Sequence, residues 1–284
     1  METLFNVSIT PSVWMFLGVL LYATNDALLK YSATTLPAGE ILFFRSLCSL
    51  SLMFMTFKVS DWVELSNTKD KPIHLLRAFF SAISLICTII ALKIMTLASF
   101  EAIFYISPLL LAVLAFLILG EPWNNKILSN LALGFLGVLL VVGPGKDIFG
   151  SGVPWALGGA FFYALTLVCA KKVHKSPLKS LYGSYIICYI PLTALTLPFF
   201  YVPIQPSDML VLFTMAVIHY GAFLCYAKAL SRSAVSHLVG MEYVGLVVAI
   251  ILGYIVFEEI PTWLILAGGG LLVWSNVRLK RVQK

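Results

Sequence analysis

Runs of about 20 apolar residues, separated by short polar breaks, fill this chain, and no other feature constrains its fold as much. A run of that length crosses a bilayer as a helix, because a helix satisfies its own backbone hydrogen bonds where no water is available. Ten runs can be marked: 13–30, 37–57, 72–95, 98–121, 125–142, 153–170, 181–200, 209–230, 234–257 and 262–277. Of the 284 residues 60% are hydrophobic and only 11% charged, so no hydrophilic stretch is long enough for a soluble domain. The alternating ten-residue pattern of an outer-membrane barrel is absent. The expected fold class is all-α integral membrane, with ten transmembrane helices.

In such a chain the position of the basic residues matters more than the net charge of +6. With ten spans both termini lie on one side. Fifteen Lys and Arg then fall on that side, among them Lys58, Lys171, Lys172, Lys175, Arg278 and Arg281. Three, Lys30, Lys93 and Lys146, fall on the other, and Arg45 lies inside the second span. The positive-inside bias makes the majority side cytoplasmic, with both termini there. The first span lacks the basic flank of a cleaved signal peptide and is expected to be retained. Cys48, Cys87, Cys169, Cys188 and Cys225 have no metal-ligand spacing and read as buried free thiols.

Two spans carry a carboxylate inside. The run 98–121 holds Glu101 and Pro108 and ends at Gly120-Glu121-Pro122; the run 234–257 holds Glu242 and leads into Glu258-Glu259-Ile260-Pro261. Gly18, Tyr22, Ala23 and Lys30 recur at the same spacing as Gly159, Tyr163, Ala164 and Lys171. One unit used twice is the economical reading. Five spans per unit is odd, so the second copy enters from the opposite face, giving two inverted five-helix repeats at 11–143 and 152–278, with cytoplasmic connections at 58–71 and 171–180.

The stretches GVLLYATNDALLKYS, LPAGEILFFRSL, ISPLLLAVLAFLILGEP and MEYVGLVVAIILGYIVFEEIP together resemble the drug/metabolite transporter superfamily, in its EamA-type ten-helix form. Pro108, Gly120 and Glu121 match the first-half pattern; Tyr243 and Glu258-Glu259 depart from it in the second half. The resemblance implies paired halves around a central cavity and secondary transport of small metabolites. The second-half form resembles a branch with uptake or exchange carriers for S-adenosylmethionine, riboflavin and similar solutes, beside exporters of amino acids.

Lipid penalises an unpaired charge, so polar residues within the spans are the candidates for function. Asn25 and Asp26 lie in the first span, with Lys30 one turn on from Asp26. They read either as a structural Asp26–Lys30 pair or as a gate and substrate contact. Arg45 needs a carboxylate, an anion or water. Glu101 and Glu242 suit a cationic or zwitterionic solute or a proton, or a structural pair with Arg45. His219 and Tyr220 lie mid-span, and Phe44, Tyr105 and Tyr243 offer aromatic walls, with Tyr22, Tyr163 and Tyr226. These give substrate-binding candidates Asn25, Asp26, Phe44, Arg45, Glu101, Tyr105, His219, Tyr220, Glu242 and Tyr243. Structural or gating candidates are Lys30, Pro108, Glu121 and Glu259, the glutamates as solvated or capping groups at membrane exits.

No Walker motif, catalytic cluster or metal spacing occurs; GPGKD at 143–147 has neither the P-loop spacing nor the following Ser or Thr. No cofactor, metal, nucleic acid or ATPase subunit is expected, and the partners are a small-molecule substrate and the lipid bilayer. The function expected is secondary transport of a small amphipathic, cationic or zwitterionic metabolite across the bacterial cytoplasmic (inner) membrane by alternating access. S-adenosylmethionine-like uptake or exchange is favoured over export of amino acids or riboflavin-like metabolites. An integral-membrane lipid enzyme is the rival from another class; its catalytic groups would cluster at one membrane face, whereas these are scattered. Single cysteines at Ser66, Ser176 and Gln283 should react with impermeant reagent only from the cytoplasm, and one at Ser151 only from outside. Reaction of Ser66 and Ser151 from the same side would rule out this topology.

Overall fold

The computed structural model describes residues 10–67, 70–120, 125–142, 152–173, 178–197, 202–232 and 244–282. Every regular element among them is helical: α1 (Pro11–Ser32), α2 (Ala38–Thr56), α3 (Val59–Ser66), α4 (Lys71–Ile94), α5 (Leu97–Phe104), α6 (Ser107–Leu119), α7 (Asn125–Val142), α8 (Val153–Lys172), α9 (Leu178–Ala194), α10 (Pro206–Arg232), α11 (Val244–Phe257) and α12 (Trp263–Val282). Among the described residues six segments are long and apolar enough to cross a membrane: α1, α2, α4, α5 with α6, α8, and α10 as far as Tyr226. Shorter apolar stretches lie in α7, α11 and α12. The protein is an all-α, multi-pass membrane protein.

The helix starts follow local chemistry. Proline stands in the first turn of α1, α4, α6 and α8, where its missing N–H would be unpaired in any case. Thr96 caps α5, its Oγ1 accepting from the Ser99 N–H at 3.2 Å. The span expected over 98–121 is two helices with a break at Tyr105 and Ile106. The connection 58–71, expected to be merely polar, contains the amphipathic helix α3. It buries Leu65, stacks Trp62 on Phe54 with ring centroids 5.0 Å apart, and leaves Val59 and Val63 exposed. Asp61 ties it down by accepting from Lys179 Nζ at 2.6 Å and from the Lys58 N–H at 2.8 Å. The Lys179 hydrogen bond holds the Asp61 carboxyl below its ordinary range.

Packing pairs α1 with α10, α4 with α8 and α7 with α12, while α2 lies against α9 and α10. Small residues permit these approaches. At Gly159 the backbone of α8 meets Ser84 and Thr88 of α4, and Ser84 Oγ donates to the Gly159 carbonyl at 2.8 Å. On α7, Gly137 permits close contact with α12: a Cβ there would sit 2.8 Å from Leu272 and 2.9 Å from the Gly268 carbonyl. All five cysteines are free; Cys87, Cys169 and Cys225 are buried and Cys48 and Cys188 half-buried.

The α7–α12 contact gives a test with an internal control. Gly137→Val should force the two helices apart, a strain of about 1–3 kcal/mol, and lower the melting temperature of the purified protein. Gly270→Ala, with nothing within 4 Å of the new Cβ, should leave it unchanged.

Candidate functional site

The break between α5 and α6 is the starting point. Pro108 has no N–H to give the Phe104 carbonyl, so the helix stops and restarts in mid-span. Irregular backbone at that depth is tolerated inside protein or against a cavity, not against lipid. Glu101 and Tyr105 therefore sit on a helix end within the bundle. The Tyr105 hydroxyl approaches α11 so closely that a Cβ on Gly245 would lie 2.9 Å from it.

Glu101 does not pair with Arg45. Its carboxyl group instead lies near that of Asp26 on α1, close enough for the two to interact, and Asn25 adjoins Asp26 in sequence. Both carboxyl groups lie deep in the bundle, yet both residues keep part of their surface accessible. Arg45, on α2, is only 5% exposed, and its Nη1 has no hydrogen-bond partner among the described residues. It lies close enough to act electrostatically on Asp26, Tyr182, Tyr189 and His219, which come from α1, α9 and α10.

Aromatic rings complete this region. Tyr22 meets His219 edge-on with centroids 5.7 Å apart, and Tyr182 packs on His219 at 6.1 Å, Tyr220 at 5.0 Å and Phe223 at 5.0 Å. The Tyr182 and Tyr189 hydroxyls are buried with no hydrogen-bond partner among the described residues. Tyr185, between them, has one at 3.0 Å in Ser81. This arrangement offers carboxyls for a cation, a guanidinium for an anion and ring faces for apolar or cationic groups.

A second polar cluster closes one end of the bundle, and it corrects an expectation from sequence. Lys30 is ion-paired with Glu259, beyond α11, and not with Asp26. Its Nζ also donates to the Met95 carbonyl at 2.7 Å, at the C-cap of α4, while Glu259 Oε2 accepts from the Leu97 N–H at 2.8 Å, at the start of α5. The cation thus meets the negative end of one helix and the carboxylate the positive end of the next, a site Asp26 cannot offer. The Glu259 N–H donates to the Gly253 carbonyl at 3.0 Å, and Glu258 turns the chain there at φ 55°. Glu259 is therefore a half-buried cross-link at the start of α5, in keeping with the capping alternative expected for it and not with a solvated exit charge. A cleft of about 510 Å³ opens beside it, lined by Lys30, Leu92, Lys93, Thr96 and Glu259.

Of the residues expected from sequence, Asn25, Asp26 and Glu101 come together, with Arg45, His219 and Tyr220 near them. Phe44 packs on Phe43 at 5.2 Å, and Pro108 makes the helix break. Glu121, Glu242 and Tyr243 lie outside the described residues. Sequence reasoning missed Tyr182, Tyr185 and Tyr189; their spacing of three and four puts them on one face of α9, a signal readable in LYGSYIICY. It missed Glu40 as well, which is fully buried and accepts from the Val202 N–H at 2.6 Å.

A family model described as the EamA-like transporter family matches residues 10–143 and again 150–276. The chain belongs to the EamA-like transporter family. Members of this family are transporters and not enzymes, and the protein is a secondary transporter of a small metabolite. Its relatives include the pseudopaline exporter CntI of Pseudomonas aeruginosa (strain PAO1), 26% identical over 93% of each chain. The S-adenosylmethionine uptake transporter of Rickettsia prowazekii (strain Madrid E) is 24% identical over 87% of this chain and 84% of that one. The riboflavin transporter of Vibrio cholerae is 23% identical over 93% and 90%. A protein of known crystal structure shares the fold, with a TM-score of 0.64 over 96% of this chain and 98% of its own at 18% identity.

The Lys30–Glu259 link is testable in this transporter. Glu259→Gln and Lys30→Met should each raise the reactivity of a cysteine at Ser99 toward impermeant reagent by roughly tenfold, the scale of one lost charge-assisted interaction. The reversed pair Lys30→Glu with Glu259→Lys should not restore protection, because both helix ends would then face like charge. Unchanged reactivity in both single variants would mean that the link does not hold this end closed.

Proposed function

We propose that the substrate is a small amphipathic metabolite with a cationic centre, held between the carboxyl groups of Asp26 and Glu101 and the rings of Tyr22, Tyr182 and His219. The observation that carries this is the pair of carboxyls, which converge from two helices next to aromatic faces. A cation there recovers, from charge and ring faces, what it loses in hydration. Transport proceeds by alternating access between two inverted five-helix repeats, 11–143 and 152–278, over ten spans. Two things support the repeats: the family model matches twice, and α1 lies on α10 as α8 lies on α4. The chain sits in the bacterial inner membrane with both termini cytoplasmic, as the distribution of basic residues suggests.

Uptake or exchange of an S-adenosylmethionine-like solute is the favoured form, supported by the similarity to the Rickettsia uptake transporter. Export is the second reading, supported by the similarity to the pseudopaline exporter. Exchange remains the favoured coupling, and a proton gradient that drives uphill accumulation would replace it. Glu242, on sequence grounds, remains a further cation contact, with Tyr243 beside it.

Flux and binding in proteoliposomes test this reading. Asp26→Asn and Glu101→Gln should each weaken binding of a cationic probe such as S-adenosylmethionine by about tenfold or more and leave membrane insertion intact. Substrate on the far side should accelerate flux. Unchanged binding and flux in both folded variants would remove the carboxyl pair from the site.

A further inference from the structure

α3 is far too short to cross a bilayer, and six of its residues sort into three i,i+4 pairs, each about a third of a turn from the next. Asp61 and Leu65 face α9. Asp61 accepts from Lys179 Nζ at 2.6 Å, and Leu65 fills a notch at Gly183, where a Cβ would sit 2.9 Å from it. Ser60 and Glu64 are exposed and polar, whereas Val59 and Val63 are exposed and apolar, 80% and 55% accessible. The line dividing the polar pair from the apolar pair therefore runs along the helix axis. A helix divided in this way rests parallel to a boundary between water and oil.

The neighbouring helix shows which boundary. Trp62 stacks on Phe54 with centroids 5.0 Å apart, and Phe54 and Met55, 67% and 78% accessible, lie in the last turn of α2, a segment long and apolar enough to span. Leu47, Ser51 and Phe54, spaced four and three apart, are all exposed and form one stripe along α2. On a spanning helix such a stripe meets lipid. Val59 and Val63 continue it past the end of the span, with a tryptophan at the corner, a residue enriched where chains meet the bilayer interface. We propose that α3 is an interfacial helix seated in the lipid leaflet at its end of the bundle, and that this seat holds Asp61 and Leu65 against α9. Val59 and Val63 lie among the acyl chains, and Ser60 and Glu64 in the aqueous headgroup layer. The lipid surface is thus a partner in a contact between a helix of residues 11–143 and one of 152–278. The inference goes beyond the transport reading and does not depend on the substrate; the leaflet is the cytoplasmic one in the topology proposed above.

The seat is read on the full-length protein in nanodiscs of phosphatidylethanolamine and phosphatidylglycerol, one copy per disc, with a nitroxide on single cysteines at Val59, Ser60, Val63 and Glu64. A nickel chelate in the water should reach the label at Ser60 and Glu64 and lose access at Val59 and Val63, where oxygen, which concentrates in lipid, should keep it. Nickel access to all four positions places the helix in water, and exclusion of both reagents from Val59 and Val63 places protein over that face; either overturns the proposal. The hold on α9 is read by a cysteine at Leu65, inside the notch. Val59→Asp with Val63→Asp should raise its reactivity toward a water-soluble maleimide by about tenfold or more, the scale of one valine withdrawn from lipid. Ser60→Asp, which adds charge on the polar face, should leave it unchanged. Equal reactivity with and without the valine substitutions overturns the hold, and so does an equal rise in Ser60→Asp, since charge anywhere on α3 would then suffice.

Discussion

Hydrocarbon gives a polar group nothing to bond with, and the interior of this transporter is arranged around that constraint. Each charge within the spans that the structure describes either finds a partner on another helix or faces other polar groups in the interior. Lys30 reaches Glu259 and the Met95 carbonyl, Glu40 takes the Val202 N–H, Arg77 donates to the Leu181 carbonyl at 2.7 Å, and Glu101 meets Asp26. These links join elements far apart in sequence, so the helix arrangement is fixed by polar specificity as much as by the fit of apolar surfaces, which lipid would wet equally well. Small residues then let the backbones close up around the links, as at Gly137 and Gly159.

The two polar clusters have different characters. At Lys30 and Glu259 both charges are paired, and both also use helix ends. Around Arg45 its Nη1 and the Tyr182 and Tyr189 hydroxyls have no hydrogen-bond partner among the described residues. A saturated cluster suits a contact made and broken as a unit. An unsaturated one suits a ligand.

Much of this was legible in the sequence. The apolar runs set the helices to within a few residues in most cases, because a span is defined by length and composition and little else. The run 125–142 coincides with α7. The break in 98–121 was signalled by Pro108, but its position depended on which carbonyl lost its donor. α3 went unread because eight residues with mixed charges look like a loop until Leu65 and Trp62 find a surface. The partner of Lys30 was misjudged for a related reason: Asp26 is near in sequence, whereas Glu259 is 229 residues away, and only the folded chain brings a helix end to stabilise that distant pair. Single-helix periodicity could have found Tyr182 and Tyr189. The unpaired Arg45 Nη1 could not be read, since an unmet hydrogen bond is a property of neighbours in space.

The left-handed turn at Glu258 has a mechanical meaning. α6 ends on Gly120 at φ 68°, where a residue without a Cβ rests freely, but the turn after α11 bends through a glutamate at φ 55°. Holding a side-chain-bearing residue there costs about 1–2 kcal/mol that glycine would not incur. The joint that carries Glu259 to Lys30 is thus a sprung one, kept cocked by the ion pair beyond it. One such increment is worth roughly a factor of five to thirty in an equilibrium between two shapes. The face on which this carrier waits at rest would then be tuned by the stiffness of one joint at the rim, with no change in what the interior can hold.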